Sequence, residues 1–335
     1  MTPGFRAFEL ISGYRAAQLV GAAAELKIPD LLAVGPMTSE QLSDMTGIDR
    51  GRLHRMLRGL VALGVLAEQE DGSFSNTDVG EVFRDGVPGS RRPMAMMMIP
   101  HDYSSWGHFM ETLRTGVTGQ QLAHGGTLWA DIERDAEFRA RFNEAMAVNS
   151  KAAAELVSRE GDFDHASLIV DVGGGKGALA GGILLSHPHL RGIVCDLPAG
   201  LADAPDYLTG LGVIERCAII GCDFFKAVPD GGDIYLLKDI LHDWDDHHAT
   251  AILSVCRKAM SPGARLMVVE RSLPARVGED PLDYNRILTD LHMMVLLGGR
   301  ERTLEEFRAL FDATQFRLTR SVPGEPFGII EAVAS

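Results

Sequence analysis

Two rhythms of apolar and polar residues divide the chain. Over residues 1–90, "RAFELISGYRAAQLVGAAAELKIPDLLAV" returns its apolar side chains at helical spacing, and Pro29 interrupts the run near Ile28. The following "MTSEQLSDMTGIDRGRLHRMLRGLVALGVLAEQEDGSFSNTDVG" predicts helix, turn, helix and a short two-stranded wing. Thr38 with Gln41 fits a helix N-cap, Gly47 fits the turn, and Asp71-Gly72 fits a hairpin tip. Residues 91–165 predict a mainly helical middle. There "MAMMMIP" (Met94 to Pro100) and "YSSWGHF" (Tyr103 to Phe109) concentrate thioethers and rings, as plain core or as a pocket for a planar apolar ligand. After Asp162 the rhythm changes. Short β-branched runs at 167–172, 191–195, 217–221, 233–238 and 264–270 alternate with helices, which predicts an α/β domain with a parallel sheet covered on both faces. The expected organisation is therefore an otherwise all-helical winged-helix region (1–90), a helical linker region (91–165) and an α/β domain (166–335).

Composition narrows the class. With 335 residues, 46% hydrophobic and 23% charged, the chain reads as a globular protein with ample core. No window reaches the roughly 18 apolar residues of a membrane span, and Met1 leads into "TPGFRAFEL", so no membrane partner and a cytoplasmic location are expected. The four cysteines lack CxxC spacing and read as buried thiols. Arg50, Arg52, Arg55 and Arg58 on the second winged-region helix invite a nucleic-acid reading. Glu68, Glu70 and Asp71 on the wing, with a net charge of −14, argue instead for packing or dimerisation and no nucleic-acid partner.

The stretch "SLIVDVGGGKGALAGGILLSHPHLRGIVCDLP" reads strand, glycine-rich turn, helix, strand. A Walker loop fails, because Lys176 is followed by Gly177 and Ala178. Gly173, Gly175 and Ala178 do satisfy the dinucleotide pattern, with Asp196 near the distance of a ribose-binding acid, so a nicotinamide enzyme stays open on this motif. Asp171 and Gly177 extend it to D-x-G-x-G-x-G. A carboxylate at the loop's edge suits a ligand bearing an ammonium group, while loop amides face a carboxylate. S-adenosylmethionine meets both demands.

Six blocks in fixed order carry a more specific signal: "LIVDVGGGKGALA", "VCDLP", "GCDFF", "YLLKDILHDWDDHHATAIL", "RLMVVERSLP" and "GGRERTLEEFRALF". The chain resembles the S-adenosylmethionine-dependent O-methyltransferases of the caffeate and hydroxyindole type, including bacterial enzymes acting on aromatic antibiotic precursors. The resemblance spans nearly the whole chain. It implies a seven-stranded Rossmann-like sheet ending in "FRLTRSVP" and "FGIIEAVA", and a winged N-terminal domain that builds a homodimer. It places Gly173 and Gly175 at the methionyl end of the cofactor, Asp196 at the ribose, Asp223 with Phe224 at the adenine, and Leu197 among the cofactor contacts. Lys238 is a further cofactor contact, and Met146 and Ser150 face bound ligands.

Methyl transfer from an activated donor needs alignment of the acceptor and removal of its proton. The resemblance puts the base at His242, in "LHDWDD", and flanks it with Glu270 and Glu301. Either acid would orient the imidazole and stabilise its cation, unless each instead pairs with Arg271, Arg300 or Arg302. No cluster has convincing metal-ligand spacing, so no metal is expected. The resemblance lines the acceptor pocket with Met293, Met294 and Leu297 opposite Trp106 and Phe142, walls that suit a small aromatic phenol or hydroxyquinone. The rivals are a relative with changed chemistry, hydroxylation or decarboxylation, and a winged-helix regulator with a ligand-sensing domain.

Overall fold

The computed structural model describes residues 2–278 and 280–334. They form two compact units, residues 2–104 with 140–145, and residues 105–139 with 146–334. The helical middle expected over 91–165 is thus shared between the two.

In the first unit, helices Pro3–Ser12 and Tyr14–Glu25 are followed by Lys27 in the left-handed region, and Pro29 opens the next short helix, Ile28–Leu31. Thr38 caps helix Ser39–Thr46 in a full capping box: Gln41 N donates to its hydroxyl at 3.3 Å, and its own N–H donates to Gln41 Oε1 at 2.8 Å. Gly47, at φ 71°, ends that helix, as a C-cap without a Cβ can. Helix Arg50–Ala62 buries Leu53, Leu57 and Leu60 against Ile28, Leu42 and Phe74. The region is not all-helical. Strands β1 (Met37–Thr38), β2 (Leu66–Glu68) and β3 (Ser73–Asn76) form an antiparallel sheet in the order β1-β3-β2. The third strand was missed because two residues carry no period, and Thr38 ends β1 while capping a helix. On the exposed face Arg50, Arg52 and Arg58 lie beside Glu40, Asp49 and Glu68, at 3.6, 3.4 and 3.7 Å.

The second unit is built on β4 (Leu168–Val172), β5 (Arg191–Asp196), β6 (Cys217–Gly221), β7 (Ile234–Lys238) and β8 (Arg265–Glu270). Short strands β9 (Ser272–Leu273) and β10 (Arg302–Thr303) pair in parallel, and β11 (Phe316–Val322) with β12 (Gly328–Ala334) completes the main sheet. Its order is β11-β12-β8-β7-β4-β5-β6, with β12 antiparallel to its neighbours and β4 to β8 parallel. All seven main strands fall where the apolar runs and the family resemblance put them. Alternation explains the double coverage. Ile169, Leu236 and Met267 face one core with Leu179 and Ile183, while Val170, Leu237 and Val268 face another with Ile252 and Phe307. Each such side chain, once fully buried, contributes roughly 1.5–3 kcal/mol.

Strands β5 and β6 extend on one side of β4, and β7 and β8 on the other. The crossovers diverge there, which opens a crevice at the carboxyl ends of β4 and β7. Asp196, Lys238 and Glu270 are the last residues of β5, β7 and β8, so the strand ends deliver three charged groups to one edge of the sheet.

Candidate active site

The turn after β4 is shaped by glycine. Gly173, Gly175 and Gly177 all have positive φ, at 69°, 53° and 81°. A Cβ on Gly173 would stand 2.4 Å from Ile240 Cδ1 and 3.5 Å from Phe224 Cε1, whereas one on Gly175 would meet open space. The loop therefore packs tightly beneath and offers bare backbone above. Asp171 does not edge that surface. It is buried, its Oδ2 accepts from Ala180 N at 3.1 Å in the first turn of helix Ala178–Ser186, and burial pushes its carboxyl up to about 7. The ammonium argument built on Asp171 loses its basis; the carboxylate anchors a helix instead.

Asp196 stands across the loop. Its Oδ2 accepts from Gly175 N at 2.9 Å and its Oδ1 from Leu197 N at 2.6 Å, and burial raises its pKa. Each oxygen keeps a further lone pair, so the fixed carboxylate fits a ribose diol. Leu197 beside it is 47% exposed. Asp223 first serves its own turn: Oδ1 accepts from Phe225 N at 3.0 Å and Oδ2 pairs with Lys226 at 2.9 Å, an ion pair that holds its pKa low. Phe224 lies against the Gly173 turn, where a flat base would be flanked. Lys238 is buried and bonded to Asp239, with its ammonium 4.8 Å from the Phe327 ring centre. Bare backbone, a diol acceptor and an aromatic flank together fit a nucleoside joined to an amino acid.

His242 sits in a tight turn, Leu241–Asp243, just past β7. Its Nδ1–H donates to Glu301 Oε1 at 2.8 Å, and its Nε2 lies 3.3 Å from Asp243 Oδ1. Glu270 has a different task. Its Oε1 accepts from three successive backbone amides, Ile240 at 3.0 Å, Leu241 at 2.6 Å and His242 at 3.3 Å. Of the two expected acids, Glu301 orients the ring and Glu270 holds the turn. Neither pairs with the arginines that offered an alternative: Arg271 lies 3.8 Å from Asp239, Arg300 bonds Glu306, and Arg302 bonds Asp246. Glu270, Glu301 and Arg302 are all wholly buried.

Electrostatics change the character of the imidazole. Burial opposes charge on His242, but Glu301, Asp243 and Asp239 outweigh it and push the imidazole up to about 10. Burial pushes Asp243 up to about 7 and raises Glu270. Asp239, held at φ 51°, stays below its ordinary value despite burial because Lys238, His242 and Arg271 surround it.

The acceptor-side residues are only partly brought together. Helix Pro281–Leu296 carries Met293, buried, and Met294, half-buried, with Leu297 following. Trp106 Nε1–H donates to His292 Nδ1 at 3.0 Å, which sets Trp106 against this helix. Met146 belongs to the same unit, and its carbonyl accepts from the Ser150 hydroxyl at 2.9 Å, so that hydroxyl is turned back onto its own helix. Phe142 falls in the other unit. Sequence reasoning missed His292 and Asp243, and gave Arg302 only as an alternative partner for a neighbouring acid. Asp243 stood beside the predicted base in "LHDWDD".

A doubly wound sheet with a D-x-G-x-G-x-G turn and a carboxylate-flanked histidine defines a class of methyl-transfer enzymes. The O-methyltransferase domain matches residues 106–317 and the O-methyltransferase dimerisation domain residues 8–85, so this chain belongs to the S-adenosylmethionine-dependent O-methyltransferase family. It is 39% identical to the phenazine O-methyltransferase PhzM of Lysobacter antibioticus over 97% of this chain and 94% of that one. It is 33% identical to the 8-amino-8-demethylriboflavin N,N-dimethyltransferase of Streptomyces davaonensis, over 98% and 95%. The structure of human N-acetylserotonin methyltransferase with S-adenosylmethionine matches at a TM-score of 0.91 and 26% identity, over 100% of this chain and 99% of that one.

The raised pKa has a stability consequence. A histidine lifted from 6.5 to about 10 makes the folded state bind more protons than the unfolded chain between those values. Its contribution is complete below about 6.5 and fades as pH rises through about 10. Urea unfolding of parent and His242→Gln across that window should show the parent's advantage shrinking steadily. A constant difference would place the imidazole near its free value.

Proposed function

We propose that this enzyme methylates a hydroxyl on a small aromatic acceptor, with His242 taking the hydroxyl proton. The observation that carries this reading is the bond from His242 Nδ1 to the buried Glu301, which fixes the tautomer and leaves Nε2 as the proton acceptor. When bound, S-adenosylmethionine supplies a methyl group already activated on a sulfonium. What remains for the chain is to hold the acceptor oxygen in line and manage one proton. Glu270 fixes the turn through three amides, Glu301 fixes the ring, and together they hold Nε2 in place. A base near 10 matches a phenol near 10, so the proton is shared between oxygen and Nε2 at little cost. Asp196 and the Gly173–Gly177 turn seat the donor, with Leu197, Asp223, Phe224, Lys238 and Ser150 around it. Met146, Trp106, Met293, Met294 and Leu297, all in the second unit, supply acceptor walls.

The riboflavin-amine relative supports a second acceptor class, an aromatic amine. A mass-spectrometric panel of phenols, hydroxyquinones and arylamines, read as the gain of one CH2 unit, separates the two. The changed-chemistry reading would require the base to be lost, and His242 is present. Against the regulator reading, three of the four arginines on helix Arg50–Ala62 have carboxylates beside them. The same reading makes the first unit a homodimer-forming surface. Helix Pro3–Ser12 buries none of its residues, and Phe5, Phe8, Leu10 and Ile11 are exposed.

His242→Ala should lower kcat by about 10²–10⁴-fold on a weakly acidic phenol and leave donor affinity nearly intact. For acceptors already ionised at the assay pH the two proteins should converge; parental kcat on the weak acid would reduce His242 to a wall of the pocket. Asp196→Ala should weaken S-adenosylmethionine binding by roughly 1.5–3 kcal/mol in calorimetry, and affinity within twofold of the parent would move the ribose site elsewhere. Light scattering at micromolar concentration should report about twice 36.3 kDa, whereas a fully active monomer would overturn the dimer.

A further inference from the structure

Among the described residues, Arg302 is the largest side chain to be wholly buried. Its guanidinium donates to Leu241 O at 2.7 Å, Trp244 O at 2.8 Å and Asp246 Oδ1 at 2.9 Å. These acceptors bracket the turn that carries His242. The same chain segment closes on that turn by backbone: Arg300 N donates to His242 O at 2.9 Å, and a Cβ on Gly299 would stand 2.1 Å from that oxygen. Arg302 also directly follows Glu301, whose carboxylate holds the imidazole. Its backbone pairs with Ser272 in β9, two residues beyond Glu270.

We infer that Arg302 is a positioning residue for His242. Glu270 gathers the amides of the turn and Arg302 gathers its carbonyls, so the backbone is gripped from both polarities. The ring is then held against a carboxylate anchored one residue from the same guanidinium. Burying a cation is expensive unless its donors are satisfied, and three planar-fork donors meet three fixed acceptors here. Lysine cannot substitute: its ammonium is a single point and does not span two carbonyls and a carboxylate. The inference rests on the reading of His242 as base for its kinetic part only, since the grip on the ring is geometric.

Arg302→Lys keeps the charge and most of the buried stem. In the full-length protein with S-adenosylhomocysteine bound, the low-field NMR proton of His242 Nδ1–H, identified by its loss in His242→Gln, should broaden or move upfield in this variant. With S-adenosylmethionine and a weakly acidic phenol, kcat should fall about 10- to 100-fold while KM for the donor changes less than about threefold. In the His242→Gln background the same substitution should cost almost nothing further. Asp246→Asn, at a half-exposed position, keeps an oxygen acceptor for the buried guanidinium while removing its counter-charge, and should lower kcat about 3- to 10-fold if Arg302→Lys does not fold. An unchanged low-field proton with parental kcat in Arg302→Lys overturns the inference, as does a kcat loss that persists in full without His242. An unchanged kcat in His242→Gln overturns the base reading alone, because the NMR signal reports the ring's anchor whichever group moves the proton.

Discussion

Three amide hydrogens pointing at one carboxylate oxygen set the rest of the site. The end of a buried strand, Glu270, accepts from Ile240, Leu241 and His242 in succession, which forces the backbone into a tight turn right after β7. That turn cannot relax without leaving a charge in the interior with nothing to accept from, a cost of several kcal/mol. The strand order then does the remaining work. Because β7 and β8 are parallel neighbours in register, Lys238 opposite Val269, the acid at the end of β8 meets the loop leaving β7 with no long-range search.

For the role proposed for His242 as base, the electrostatics depart from those of a free imidazole. A free imidazole near 6.5 facing a phenol near 10 would take its proton uphill by roughly 5 kcal/mol, at about 1.4 kcal/mol per unit. Carboxylates of Glu301, Asp243 and Asp239 lift the imidazole to about 10 and remove most of that difference. On the reading of His242 as base, an imidazole this basic accepts the hydroxyl proton once its own Nε2 proton has left, and Asp243 Oδ1, 3.3 Å away, is the carboxylate placed to take it. The price appears in the acids: Asp243 is driven up to about 7 and Glu270 is raised, mainly by burial.

Much of this was legible in the chain itself. β-branched runs located the main strands because strands buried on both faces leave uninterrupted apolar stretches. The glycine turn and Asp196 were readable because few backbones need three positive-φ positions within five residues. Other features lay beyond pattern. Asp171 has the right charge next to the right loop, yet its direction, toward Ala180 N and away from the ligand face, depends on where a helix starts. Phe142 and Met146 sit four residues apart on one helix, the spacing of a shared face, and still fall in different compact units. Arg302 looked like an ordinary partner for a neighbouring acid, because the residue type gives no hint that three acceptors wait in the interior.

The helix proposed to wall the acceptor and the frame around His242 are joined through Asp290, and that constrains how the proposed pocket can vary. Glu301 N donates to Asp290 Oδ1 at 2.9 Å, and Asp290 lies one turn before Met293 and Met294 on helix Pro281–Leu296. Side chains can be exchanged along the pocket face of that helix with little consequence for the polar frame, since thioether and aliphatic walls repack at modest cost. A change that slides the helix itself is different. It would drag Asp290, and through the Glu301 backbone it would alter the carboxylate that holds the His242 ring. With the roles proposed for these residues, acceptor preference is free to drift by side-chain replacement, whereas reshaping the pocket by backbone movement is coupled to the chemical step.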